Sequence, residues 1–231
     1  MPRRPVILFA AACAVIALAL GLITMVVVKG REQSAQVAET GTGQPTVGGP
    51  FTLTNQDGQL VDQSILQGKW TLVFFGFTYC PDYCPTTLGV LKAVQERLEK
   101  DLGDKARDLQ IVFISIDPER DTPQLLKDYL SSDGFPTGVI GLTGTPEQTS
   151  QVAKEYRAFY QKVGEGEGYT MNHSLTVYLM GPDGQFRSAV AHDLGPDRTV
   201  KLIENAMERG WTSRRRSPRV SPASRTRRLR R

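Results

Sequence analysis

Cys80 and Cys84 stand in Gly76-Phe77-Thr78-Tyr79-Cys80-Pro81-Asp82-Tyr83-Cys84-Pro85, a C-x-x-x-C spacing. Thiolate sulfur is both the nucleophile of disulfide exchange and a soft metal ligand. The pair could therefore hold copper, cycle as a redox dithiol, or form a structural disulfide. The last option is the weakest, because a bridge across so short a loop closes little chain and adds little entropic stability. The redox dithiol of thioredoxin-like oxidoreductases is usually C-x-x-C, so the extra residue needs its own explanation.

A third residue decides between the other two. His173, in Met171-Asn172-His173-Ser174, is one of two histidines in the chain. Two sulfurs with one imidazole suit Cu(I) at low coordination number, or Zn(II) if a fourth ligand exists. A metal-free oxidoreductase has no need of His173. The competing reading is a lone, partly buried structural histidine. His192, in Ala191-His192-Asp193, reads as a structural strand-end residue, and Met171 as a core or loop methionine rather than a thioether ligand. Asp117 and Asp121 lie in Ser115-Ile116-Asp117-Pro118-Glu119-Arg120-Asp121-Thr122-Pro123. They could place carboxylates near the metal loop or form a charged docking surface. Taken alone, the residues favour turn and cap chemistry.

The elements that must position these side chains are legible from periodicity. The apolar run up to Phe77, from Trp70, predicts a buried strand, and Leu88, Leu91, Val94 and Leu98 predict a helix over 86–100. The cysteines then fall in the loop between strand end and helix start, where a helix N-terminus favours a thiolate. Residues 110–116 predict a second buried strand, of the kind covered on both faces. Thr122-Pro123 and Thr145-Pro146 each carry an N-cap threonine with proline in the first turn, predicting helices to about Ser132 and Arg157. A short strand is expected at Val139 to Leu142, and another at Ala158 to Val163 before the Gly-rich tip 164–168. Strands over 174–180 and 185–191 flank Gly181-Pro182-Asp183-Gly184, and a helix over 196–209 follows. Phe51 to Thr54 and Leu60-Val61 form an opening hairpin around Asp57-Gly58. This order predicts an α/β fold, a thioredoxin-like mixed sheet flanked by helices with an N-terminal hairpin.

The chain of 231 residues is long enough for one such domain with extensions. Its formal charge of +4 is uneven: the stretch 212–231 holds nine arginines and no acid, so the rest is net acidic. Basicity belongs to this tail, which is expected to be disordered, and no nucleic-acid partner is expected. After Arg3 and Arg4, residues 6–28 are apolar and uncharged. That length suits a helix crossing a bilayer core, which needs about 20 residues, and no convincing signal-peptidase site follows it. The expectation is an uncleaved anchor, residues 1–5 cytoplasmic, with Cys13 a small apolar residue within it. The arginines before the span place the rest outside the cytoplasm. Residues 29–50 read as a flexible tether and 51–211 as the folded domain.

Three segments in this order resemble the Sco/SenC family of copper metallochaperones: Gly76 to Leu88, Ser115 to Pro123, and Asn172-His173-Ser174 with Tyr178 to Gly184. The similarity runs from about Phe51 to Met207, and a single N-terminal anchor is usual in that family. The resemblance implies a thioredoxin-like domain that binds one copper ion through Cys80, Cys84 and His173. It implies a role in assembling the binuclear copper centre of cytochrome c oxidase subunit II, by copper delivery, by reduction of the target cysteines, or both. Other copper chaperones become possible partners, and the location becomes the cytoplasmic membrane with the domain on the periplasmic side. A metallochaperone is not expected to be an enzyme, thiol-disulfide exchange through Cys80 and Cys84 being the alternative. The aspartates Asp117 and Asp121 gain weight as residues that support the metal or dock a partner. The chain departs from the family at Asn172 and Gly181, where aspartate is common, and Asn172 takes a carboxylate away from the histidine's side.

Overall fold

The computed structural model describes residues 47–216. The expected anchor (6–28), most of the tether and the end of the arginine-rich tail lie outside them. Among the described residues, no helix is long and apolar enough to cross a membrane.

The elements are β1 (Thr52–Asn55), β2 (Leu60–Asp62), β3 (Trp70–Gly76), α1 (Tyr83–Leu102), β4 (Leu109–Ser115), α2 (Pro123–Leu130), β5 (Ile140–Thr143), α3 (Pro146–Tyr156), β6 (Tyr160–Val163), β7 (Thr170–His173), β8 (Val177–Met180), β9 (Phe186–Val190) and α4 (Pro196–Arg216). Seven strands form one mixed sheet in the order β2-β1-β5-β4-β3-β8-β9, and β6 and β7 form a separate two-stranded sheet. With helices flanking the sheet, this is the expected thioredoxin-like α/β architecture. The N-terminal hairpin is present as the antiparallel pair β1–β2.

β3 is buried at all seven positions, as its mostly apolar sequence requires. One face sets Phe74 edge-on to Phe113 at 5.8 Å, and the next residue, Phe75, meets Tyr156 at 5.4 Å and Tyr178 at 6.0 Å. Both sides of the sheet are therefore packed with aromatic rings. α2 and α3 begin as their sequences dictate: the Thr122 hydroxyl accepts from Leu125 N, and Thr145 forms a full capping box with Gln148.

Register explains how distant segments meet. β3 and β4 are parallel and end together at the pair Gly76 and Ser115. β8 is antiparallel to β3, and its first residue, Val177, pairs with Phe74 near that same end. The loops after β3 and β4, and the chain entering β8, thus converge on one edge of the sheet. In doubly wound sheets this is where ligands are bound.

Several boundaries differ from those expected. α1 starts at Tyr83 rather than Thr86, so Cys84 sits in its first turn and only Cys80 remains in the loop. The apolar spacing that marked the helix begins only at Leu88, and Pro85 is tolerated in the first turn, where the amides have no intrahelical partner. His173 closes β7, and β8 begins at Val177 rather than at Ser174. α4 continues to Arg216, past the expected start of the tail at 212.

Candidate metal centre

Cys80, Cys84 and His173 come together at that edge. Their ligand atoms all lie within 4.8 Å of one another, and both cysteines are free thiols. Cys84 Sγ is 3.8 Å from His173 Nε2. A metal at about 2.3 Å from sulfur and about 2.0 Å from nitrogen, at trigonal angles, separates the two donors by about 3.7 Å. The donor set and its spacing therefore fit a small soft ion held by three ligands. Among the described residues no fourth histidine, cysteine or acid joins the group, so a closed tetrahedral zinc site is not completed by them.

Each donor is held by its own local structure. Asp82 occupies the N-cap of α1 but its side chain makes no capping hydrogen bond. Cys80 Sγ takes that place, accepting from Cys84 N at 3.3 Å. Cys84 Sγ lies over the end of β3, where a Cβ built on Gly76 would stand 2.8 Å from it and 2.8 Å from Phe113 Cε2. Only a residue without a side chain leaves the sulfur its seat. The His173 ring is edge-on to Phe77 at 5.8 Å and to Phe74 at 6.5 Å. Its Nδ1 faces the carbonyl oxygen of Ser174 at 2.9 Å. A carbonyl only accepts, so Nδ1 carries the proton and donates, and Nε2 presents its lone pair to the sulfurs.

The two thiols are electrostatically unequal. A hydrogen bond from the Cys84 thiol, seconded by the Cys84 amide, pulls the Cys80 thiol down to about 4 against the effect of burial. That same bond, with burial and the Cys80 charge, pushes the Cys84 thiol upward. Cys80 is the resting thiolate and Cys84 its proton donor.

Asp117 and Asp121 are both buried, and their side chains do not act as helix caps; Thr122 does that. Asp121 accepts from Thr78 Oγ1 at 2.6 Å, from Thr78 N at 3.2 Å and from Ser115 Oγ at 2.6 Å. Burial raises its carboxyl pKa, and these hydrogen bonds work against that rise. Asp117 accepts from Tyr169 Oη at 2.6 Å and from Arg120 Nε at 2.6 Å. The turn-and-cap reading of these aspartates thus gives way to buried anchors on either side of the site. Asn172 is exposed on β7, and the orienting contact for His173 comes from the main chain instead.

Met171 is buried. His192 is half-buried with its ring edge-on to Tyr83 at 5.9 Å. Sequence reasoning missed Gly76, Thr78, Arg120 and Tyr169. Of these only Gly76 carried a local signal, a glycine closing an apolar strand immediately before the cysteine segment.

The SCO1/SenC family model matches residues 39–208. The chain is 43% identical over 145 residues to "Protein SCO1 homolog 1, mitochondrial" of Arabidopsis thaliana, covering 62% of this chain and 42% of that protein. It is 43% identical over 146 residues to the human "Protein SCO1 homolog, mitochondrial", covering 62% and 47%. The chain thus matches less than half the length of these curated relatives. Among solved structures, Arabidopsis thaliana ScoI with copper bound superposes with a TM-score of 0.66 at 38% identity, covering 71% of this chain and 99% of that one. Bradyrhizobium japonicum ScoI with copper bound gives 0.61 at 41% identity, covering 69% and 98%. With a family match across well over half its length, and the two cysteines and the histidine gathered at one edge of a thioredoxin-like sheet, this chain belongs to the SCO1/SenC family.

Proposed function

We propose that this protein binds one copper ion through Cys80, Cys84 and His173 and serves assembly of the binuclear copper centre of cytochrome c oxidase subunit II. The observation that carries the reading is the convergence of two sulfurs and one imidazole nitrogen within 4.8 Å. Two thiolates and a neutral imidazole are soft donors suited to Cu(I), and they bind only when the thiols are reduced. Disulfide formation would therefore switch the site off. Residues 6–28 anchor the protein in the cytoplasmic membrane, 29–50 tether it, and 51–211 form the copper-binding domain on the periplasmic side. Subunit II of the oxidase is the recipient, and other copper chaperones are candidate donors.

A second reading rests on the unequal thiols. A stabilised Cys80 thiolate beside a protonated Cys84 is also the arrangement of a thiol-disulfide oxidoreductase acting without metal. The deciding experiment is a titration of the reduced full chain in detergent with Cu(I) against a competing chelator, in wild type and His173→Ala. One-to-one binding that weakens in the variant is expected. Binding indifferent to His173, with thiol exchange intact, would transfer the function to the oxidoreductase.

A further inference from the structure

His173 is carried by the β6–β7 hairpin, which forms its own sheet apart from the seven strands that carry the cysteines. Something must fix the distance between the two parts. The loop between β4 and α2 reaches both. On one side Asp121 binds the main chain and hydroxyl of Thr78, two residues before Cys80. On the other side Asp117 and Arg120 bind Tyr169, four residues before His173.

Arg120 joins the two sides. Its guanidinium lies 4.6 Å from the ring centre of Tyr79 and 3.6 Å from that of Tyr169. Nη1 donates to the Tyr169 carbonyl at 3.0 Å, and Nε donates to Asp117 at 2.6 Å. The Nη2 contact with Asp117, at 2.5 Å, is ionic and has no directed hydrogen bond. Asp117 is buried and Arg120 half-buried, with side-chain exposures of 2% and 16%. An outer contact repeats the connection: Lys162 of β6 pairs with Glu119 at 2.6 Å and lies 3.9 Å from the Tyr169 ring centre.

We infer that Arg120 is a positioning residue that latches the β6–β7 hairpin to the cysteine segment and so holds His173 at the two sulfurs. The inference rests on the proposed ligand role of His173. The two aspartates have separate parts in this: Asp121 fixes the sulfur side and Asp117, through Arg120 and Tyr169, the imidazole side. A planar, delocalised cation is required, because it must bind a carboxylate edge-on while its flat face meets aromatic rings. Lysine keeps the charge beside Asp117 and loses both the fork and the stack.

The experiment compares Arg120→Lys, His173→Ala and the double variant, each as the reduced full chain in detergent. Hydrogen exchange is followed by mass spectrometry, Cu(I) binding by chelator competition, and the Cu(I) environment by X-ray absorption. In Arg120→Lys, exchange over residues 160–173 should accelerate by about tenfold or more while β3 stays protected. Its Cu(I) affinity should fall by about 10- to 100-fold, the range for losing a residue that orients a ligand. The nitrogen scatterer should be lost, and the double variant should bind no more weakly than His173→Ala.

Wild-type affinity in Arg120→Lys alongside weak binding in His173→Ala would overturn the latch and leave the ligand intact. Losses that multiply in the double variant would also overturn it, since independent defects multiply. Wild-type affinity in His173→Ala would instead remove the ligand role, and exchange over 160–173 would then judge the latch alone, unchanged protection refuting it. Should Arg120→Lys fail to fold, Tyr169→Phe, which deletes only the hydroxyl on Asp117, carries the same comparisons.

Discussion

Cys84 donates its main-chain amide to the sulfur of Cys80 at 3.3 Å, so the nucleophile of the pair is also the cap of α1. The same feature that ends the helix stabilises the thiolate. Cys80 is pulled down to about 4, chiefly by the hydrogen bond from the Cys84 thiol. In reduced, metal-free protein, alkylation of Cys80 should stay rapid well below pH 7, and Cys84→Ala should move its titration back toward ordinary thiol values. An alkylation midpoint near pH 8 or 9 in the wild type would refute this.

A pH dependence of stability follows with a definite sign. Between about pH 4 and pH 9 the folded Cys80 is ionised while the unfolded thiol is protonated, so the unfolded chain binds more protons. The contribution of Cys80 is lost as pH falls toward its folded value. Urea midpoints of the reduced protein should therefore decline on acidification across this window, and Cys80→Ser should flatten that slope. An equal slope in both proteins would show that other groups dominate.

Gly76→Ala should be costly although alanine suits a strand better than glycine. Its Cβ would meet Cys84 Sγ and Phe113 at 2.8 Å, inside van der Waals contact. Overpacking of this kind costs about 1–3 kcal/mol. Unlike a remote core change, it should also weaken Cu(I) binding by displacing one sulfur. Urea unfolding and chelator competition check both effects, and wild-type behaviour in each would refute the steric argument.

Asp121→Ala removes the acceptor for Thr78 and Ser115 and leaves buried donors unpaired, a loss of about 1–3 kcal/mol. Because Thr78 adjoins the cysteine segment, faster exchange should appear around residues 77–82 and not over β6–β7. Exchange confined to the hairpin would contradict the division between the two aspartates.

Asn172→Asp should change Cu(I) affinity by less than the roughly tenfold typical of orienting residues. Asn172 is exposed and the Ser174 carbonyl already fixes the imidazole. Competition titration at matched pH is the check, and a tenfold or larger gain would show that the carboxylate missing here matters.

How far the sequence carried can be judged from individual residues. The strands around Phe74 and Phe113 were legible because both their faces are apolar. α2 and α3 were legible from Thr122-Pro123 and Thr145-Pro146, where the local chemistry is self-sufficient. The candidate ligands Cys80, Cys84 and His173 stood out by residue type, and the antiparallel pairing of β8 with β3 then brought their segments together. The helical position of Cys84 was hidden because the apolar periodicity begins only at Leu88, one turn later. The environment of Asp117 was invisible for a different reason. Its partner Tyr169 lies 52 residues away, and no local pattern announces a hydroxyl arriving from a separate hairpin.

The independence of β6–β7 from the main sheet has a consequence for how a bound ion would leave. The two cysteines follow a strand of the main sheet and His173 belongs to the separate hairpin, so one bond to a bound ion could be surrendered without disturbing the others. An acceptor's incoming sulfur or nitrogen can take the place vacated by the imidazole before either scaffold sulfur lets go. If the protein delivers copper as proposed, transfer would proceed by stepwise substitution, with no naked ion exposed to water at any stage.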